Sequence, residues 1–176
     1  MKRALIAATL VLAACGEQIG GDGASTGQAP SSAGVAVPSN LTAYFDCLRD
    51  RGATAVSVHR GGPAPGFAEN AIPTFENTLR VAPGAFLEVD VSRTSDGVLV
   101  LMHDDRAERT TTGTGAIADL DLARLLTFQL EDDRGQSVDA RAPTLAEALD
   151  WADGKTILEL DIKRSVRFED VVSEVE

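Results

Sequence analysis

The chain has 176 residues, 44% of them hydrophobic, and a formal net charge of −11. That is enough for one folded domain with its own core. With so acidic a balance and no basic stripe it is a poor nucleic-acid binder, and it would repel an anionic substrate unless a bound cation reversed the local field.

Lys2 and Arg3, followed by the apolar run Ala4 to Leu12, form a targeting segment that is too short to span a bilayer. It ends in Leu12-Ala13-Ala14-Cys15, which resembles the lipobox of bacterial lipoprotein precursors. The resemblance implies that residues 1–14 are a signal peptide and that Cys15 becomes the lipidated first residue. The protein would then sit in the bacterial cell envelope, held to the membrane by its lipid alone. An ordinary signal peptide with an incidental Cys15 is the alternative. Without Lys2 and Arg3, 14 basic residues face 27 acidic ones, a net charge of −13. Residues 15–40 are rich in Gly, Ser, Ala and Pro and read as a flexible tether. Its reach is on the order of 25–30 Å.

The folded part is expected over 41–176. Leu41 to Leu48 is a predicted helix with apolar residues Leu41, Tyr44, Phe45 and Leu48 on one face. With Cys15 acylated, Cys47 on that helix has no partner and reads as a passive residue. Thr54 to Val58 is a β-branched run that ends at His59. Ile72, Phe75, Leu79 and Ala82 recur at helical spacing, with Pro73 where a first turn tolerates it. Phe86 to Val91 and Val98 to Met102 are predicted strands joined by a tight turn at Thr94-Ser95-Asp96-Gly97. Asp119 to Leu126 and Thr144 to Ala152 read as helices, the second capped by Thr144 with Glu147 three residues on. Thr156 to Ile162 is a fourth strand. Such β-α alternation implies an α/β fold with a parallel sheet or barrel and helices outside.

Strand alternation places Glu88 and Asp90 on one face, and Glu159, Asp161 and Lys163 on one face of the fourth strand. A helix-covered parallel sheet has no solvated face, so these carboxylates must gather at a strand end, paired or on a cation. Oxygen donors suit a divalent ion such as Ca²⁺ or Mg²⁺. The chain's two histidines, His59 and His103, both follow predicted strands, where barrel active sites are built. An imidazole pair supplies the base and the acid that phosphodiester hydrolysis requires. Arg60 and Lys163 are candidates for the phosphate oxygens.

His59-Arg60-Gly61, Glu69-Asn70, Glu88-Val89-Asp90, Asp96-Gly97, His103-Asp104, Arg109-Thr110-Thr111, Pro143-Thr144-Leu145 and Asp161-Ile162-Lys163 resemble, in order and spacing, the motifs of glycerophosphodiester phosphodiesterases. The resemblance implies a (β/α)₈ TIM barrel, of which this chain covers roughly the first four βα units. It implies hydrolysis of a small glycerophosphodiester to an alcohol and glycerol 3-phosphate, with His59 and His103 as the acid–base pair. It further implies metal ligation by Glu69, Glu88, Asp90 and Asp161. The family's Pro before Glu-Asn is Ala68 here. Its strand-four Glu is Asp161, one methylene shorter, with Glu159 in reserve on the same face. The echo Glu76-Asn77 lies inside the predicted helix and reads as solvated. Lysophospholipase D- or sphingomyelinase D-like activity, and an inactive truncated product, are the other expectations.

Overall fold

The computed structural model describes residues 40–176. The expected signal segment and the lipidation site Cys15 therefore lie outside the described residues. Asn40 opens the first helix, α1 (Leu41–Asp50), its side-chain oxygen accepting from the Ala43 N–H at 3.0 Å. Tyr44 and Leu48 are buried against Phe86, whereas Leu41 and Phe45 stay 47% and 44% exposed. Only one flank of α1 meets the sheet, so the expected apolar face is split. Cys47 is disulfide-bonded rather than unpaired, which corrects the sequence expectation. Cys47 is half-buried on the flank of α1, and its partner lies outside the described residues.

β1 is only Ser57–Val58. Just before it the Val56 carbonyl still meets β2, accepting from the Phe86 N–H at 2.9 Å, and the Ala53 N–H closes the end of α1 on the Leu48 carbonyl. α2 (Ile72–Val81) starts on Pro73 and buries Thr74, Phe75 and Thr78, leaving Glu76 exposed. β2 (Phe86–Arg93) is the central strand. It pairs parallel with β1 (Ser57 opposite Phe86) and parallel with β4 (Leu158–Ile162) over five residues, from Leu87–Leu158 to Val91–Ile162. Leu87, Val89 and Val91 are fully buried against Phe75, Leu101, Leu145 and Ala148. Each such side chain contributes about 1.5–3 kcal/mol of transfer free energy.

β3 (Leu99–Leu101) runs antiparallel to β2, with Val91 opposite Leu101 and Arg93 opposite Leu99. Four strands are present as expected, but three are parallel and one returns. The tight turn is the cause. The Gly97 N–H donates to the Thr94 carbonyl at 3.0 Å, and Gly97 takes φ +91. So short a connection can only reverse the chain, because a parallel return needs a crossover of a dozen residues or more.

After β3 the chain builds a small lobe around Ile117, Leu125, Phe128 and Leu130. The helix expected over Asp119–Leu126 is divided into a 3₁₀ turn at Ile117–Asp119 and a short α3 (Leu122–Leu125). Asp121 divides it by capping α3 with its own carboxylate on the Arg124 N–H. α4 (Leu145–Ala152) carries the full Thr144–Glu147 capping box, and α5 (Phe168–Val175) follows β4. Among the described residues, no helix is long and apolar enough to cross a membrane.

Candidate active site

The β2–β4 register sets Glu88 beside Glu159 and Asp90 beside Asp161 on one sheet face. One carboxylate oxygen from each of Glu88, Asp90 and Asp161 lies within 4.8 Å of the others. Glu159 is not in this group; its carboxylate accepts from the Ser57 hydroxyl at 2.6 Å, toward β1. Glu69 is not in it either.

Asp90 is the hub. It is 1% exposed, and three groups answer its charge. The Asn70 side-chain N–H₂ donates to it at 2.8 Å, while the Asp90 N–H donates back to Asn70 Oδ1 at 3.0 Å. Lys163 Nζ sits 2.6 Å from Asp90 Oδ1 and 2.7 Å from Asp161 Oδ2. Arg60 Nε stands 3.8 Å from Asp90 Oδ2. Lys163 holds the Asp161 carboxyl below its ordinary range, with His103 adding a smaller pull.

The loop after β1 aims Arg60. Its N–H donates to Glu88 Oε2 at 2.7 Å and its guanidinium to Glu69 at 3.0 Å. Reaching both requires left-handed backbone, φ 52 at Arg60 and φ 55 at Asn70. These are the non-glycine positive φ values among the described residues, and both fall in this site, where strain of about 1–2 kcal/mol each is retained for geometry. Gly61 continues the turn at φ +74, and a Cβ there would lie 2.2 Å from the Phe75 ring. Glycine is required by both counts.

Each histidine adjoins a residue whose backbone holds Glu88 or Asp90. His59 immediately precedes Arg60, whose N–H holds Glu88. His103 follows Met102, whose N–H donates to the Asp90 carbonyl at 2.9 Å. Because β3 is antiparallel, it carries His103 back to the level of Asp90. His103 Nδ1 is 2.6 Å from Asp104 Oδ1. Burial works to raise the Glu69 carboxyl, but Arg109 and Arg60 outweigh it and hold it below its ordinary range.

The Arg109 guanidinium beside Asp104 pulls that carboxyl down to about 2 against a partial counter-effect of burial, with His103 assisting. A depressed folded-state value stabilises only where the carboxylate is ionised. Its contribution is complete above the ordinary value of 3.8, declines as pH falls, and is gone below about 2. The His103–Asp104 link is therefore expected to persist in mildly acidic solution and dissolve only near pH 2. A His103 ring resonance followed by acid titration checks this. Loss of the link already at pH 5 would contradict it.

Of the sequence candidates, the structure draws Glu88, Asp90, Asp161, Arg60 and Lys163 into one network and sets Glu69 at its edge. Asn70, Asp104 and Arg109 belong to it too, although the sequence alone assigned them no role. The signal was their adjacency: Asn70 beside Glu69, Asp104 beside His103, Arg109 a turn further on. Glu69, Asp90, Asp104 and Asp161 are opposed by Arg60, Arg109 and Lys163. The all-oxygen donor set of Glu88, Asp90 and Asp161 fits a hard cation such as Ca²⁺ or Mg²⁺. A cavity of about 230 Å³ opens beside Glu69 and Arg109.

Residues 59–175 match the glycerophosphoryl diester phosphodiesterase family. A glycerophosphoryl diester phosphodiesterase of Parabacteroides distasonis is 47% identical and superposes with a TM-score of 0.65, over 68% of this chain and 41% of that one. An Oleispira antarctica phosphodiesterase solved with the product sn-glycerol-3-phosphate is 30% identical, TM-score 0.52, over 62% of this chain and 44% of its own. Rat glycerophosphodiester phosphodiesterase 1 is 35% identical over 107 residues, which are 58% of this chain and 31% of the rat protein. The chain thus spans less than half the length of each of these three relatives. The match over residues 59–175 takes in the whole carboxylate and histidine network, and the chain belongs to the glycerophosphoryl diester phosphodiesterase family.

Proposed function

We propose that this site hydrolyses glycerophosphodiesters to an alcohol and glycerol 3-phosphate, with a divalent cation held by Glu88, Asp90 and Asp161. The observation that carries the reading is that carboxylate cluster, with one oxygen from each of Glu88, Asp90 and Asp161 within 4.8 Å of the others. The Oleispira neighbour's bound product supports the substrate class. A cation bound by the three carboxylates would offset the charge that gathers on the phosphoryl oxygens. His59 and His103 divide the proton work, one taking a proton from the attacking oxygen and the other giving one to the departing alkoxide. Arg60 Nε, a buried donor with no hydrogen-bond partner, is the group that a substrate oxygen would satisfy. Lys163 orients Asp90 and Asp161 and neutralises part of their charge. Glu69, outside the cluster, is a ligand only if it exchanges Arg60 or Arg109 for the cation.

The test is release of glycerol 3-phosphate from glycerophosphodiesters. A chelator is expected to abolish turnover, and added Ca²⁺ or Mg²⁺ to restore it. Undiminished activity in excess chelator would remove the cation from the reading. The anchor at Cys15 is a separate proposal. Acylation uses the Cys15 sulfur, so with two cysteines in the chain it excludes a Cys15–Cys47 disulfide. The mass of the mature chain, with or without a diacylglyceryl group, decides between them.

A further inference from the structure

Arg109-Thr110-Thr111 is a motif for which the proposed chemistry has no use, yet its arginine makes the densest set of polar contacts in the site. Arg109 Nε donates to Asp104 Oδ2 at 2.5 Å and Nη2 to Asp104 Oδ1 at 2.8 Å. The other side of the guanidinium meets Glu69, with Nη1 at 3.0 Å from Oε2 and Nη2 at 2.8 Å from Oε1. One planar fork therefore grips two carboxylates from separate loops, a geometry that lysine cannot reproduce.

The backbone that carries Arg109 is built to hold it there. Ala107, Thr110 and Thr111 are 0%, 3% and 3% exposed. The Thr111 hydroxyl donates to the Ala107 carbonyl at 2.8 Å, closing the turn, and the Thr110 hydroxyl lies 3.3 Å from Met102 Sδ, under the residue before His103. The guanidinium itself is half-exposed, where a single ion pair would contribute little; the fork on two carboxylates and the buried footing beneath it set Arg109 apart from such a pair.

The consequence reaches His103. A carboxylate only accepts hydrogen bonds, so Asp104 fixes the hydrogen on His103 Nδ1 and leaves Nε2 as the atom presented to a substrate. Asp104 can do this only if its own orientation is set, and Arg109 binds both of its oxygens. We propose that Arg109 is a positioning residue that acts through Asp104 on His103 and through Glu69 on the edge of the carboxylate cluster, joining His103 and the cation site in one network. This rests on the reading of His103 as an acid–base group.

Arg109→Lys in the full chain keeps the charge and loses the fork. It is expected to lower kcat by about 10–100-fold, with KM changed less than kcat. Arg106→Gln, three residues earlier in an exposed pair with Glu108, should leave kcat unchanged. Asp104→Asn and the double variant complete a cycle: if Arg109 acts through Asp104, the double variant is no worse than the worse single one. Two independent losses that multiply would overturn the proposal, as would a wild-type kcat in Arg109→Lys.

The ¹⁵N spectrum of His103 gives a readout that does not depend on turnover. Wild type should show a single Nδ1–H tautomer and Arg109→Lys a mixture; an unchanged spectrum overturns the proposal. If no variant, wild type included, hydrolyses a glycerophosphodiester while the tautomer still shifts, the substrate reading fails and the positioning role stands. Should Arg109→Lys lose its fold by circular dichroism, Arg109→Gln is measured in the same two ways.

Discussion

Replacing His59 or His103 by alanine is expected to lower kcat for glycerophosphodiester hydrolysis by about 10²–10⁴-fold, the usual contribution of one positioned acid or base. The fold should survive both changes. His59 is exposed, and the His103 side chain is one-third exposed and bonded to an Asp104 that Arg109 still grips. Neither ring fills a core cluster. Cation binding should also be nearly unaffected, because neither imidazole is among the grouped carboxylates. Steady-state kinetics beside isothermal titration with Ca²⁺ separates the two properties. Wild-type turnover in both variants would end the acid–base assignment. A cation affinity that collapses with the histidine would instead make it a ligand.

Removing Asp90 should damage fold and site together. Asp90→Ala is expected to cost about 3–5 kcal/mol of stability, the range for breaking a buried ion pair from one side, and to abolish cation binding. The carboxylate is 1% exposed and is the shared partner of Lys163, Asn70 and Arg60. Its loss leaves the Asn70 amide unpaired in the interior, while Lys163 keeps only the half-exposed Asp161. Asp90→Asn preserves the shape and most of the amide contact. It should therefore cost less stability while still weakening the cation, since one charged ligand is gone. Urea unfolding with and without Ca²⁺ measures both effects. Equal stability of Asp90→Ala and wild type would mean that Lys163 and Arg60 relax to solvent or to Asp161 and Glu69, and that Asp90 is no hub.

Both predictions concern residues visible in the sequence, but visible for different reasons. Glu88 and Asp90 announced themselves by strand alternation, because a period of two puts alternate side chains on one face whatever the partner strand is. The Thr144–Glu147 capping box and the Thr94–Gly97 turn were equally legible, being local hydrogen-bonding patterns that need only three or four residues. The turn also contained the clue to the antiparallel third strand, which reading the alternation as uniformly β-α passed over. The chain's use of Asp121 in a local cap explains why the helix after Ile117 is divided; such competitions are settled by which hydrogen bond the fold leaves open.

By itself, then, the sequence determined the α/β class, the strands and their charged faces, the two scarce histidines and the motif order that pointed to the family. Tertiary structure decided the rest. It chose Asp161 over Glu159 to join Glu88 and Asp90, left Glu69 between two arginines, turned His103 back beside Asp90, and made Asn70, Asp104 and Arg109 part of the site. The reason is range. Alternation and capping act over a few residues, whereas the Arg109–Glu69 and Lys163–Asp90 pairs join positions 40 and 73 residues apart, and only the packing of β2, β3 and β4 brings those charges within reach of one another.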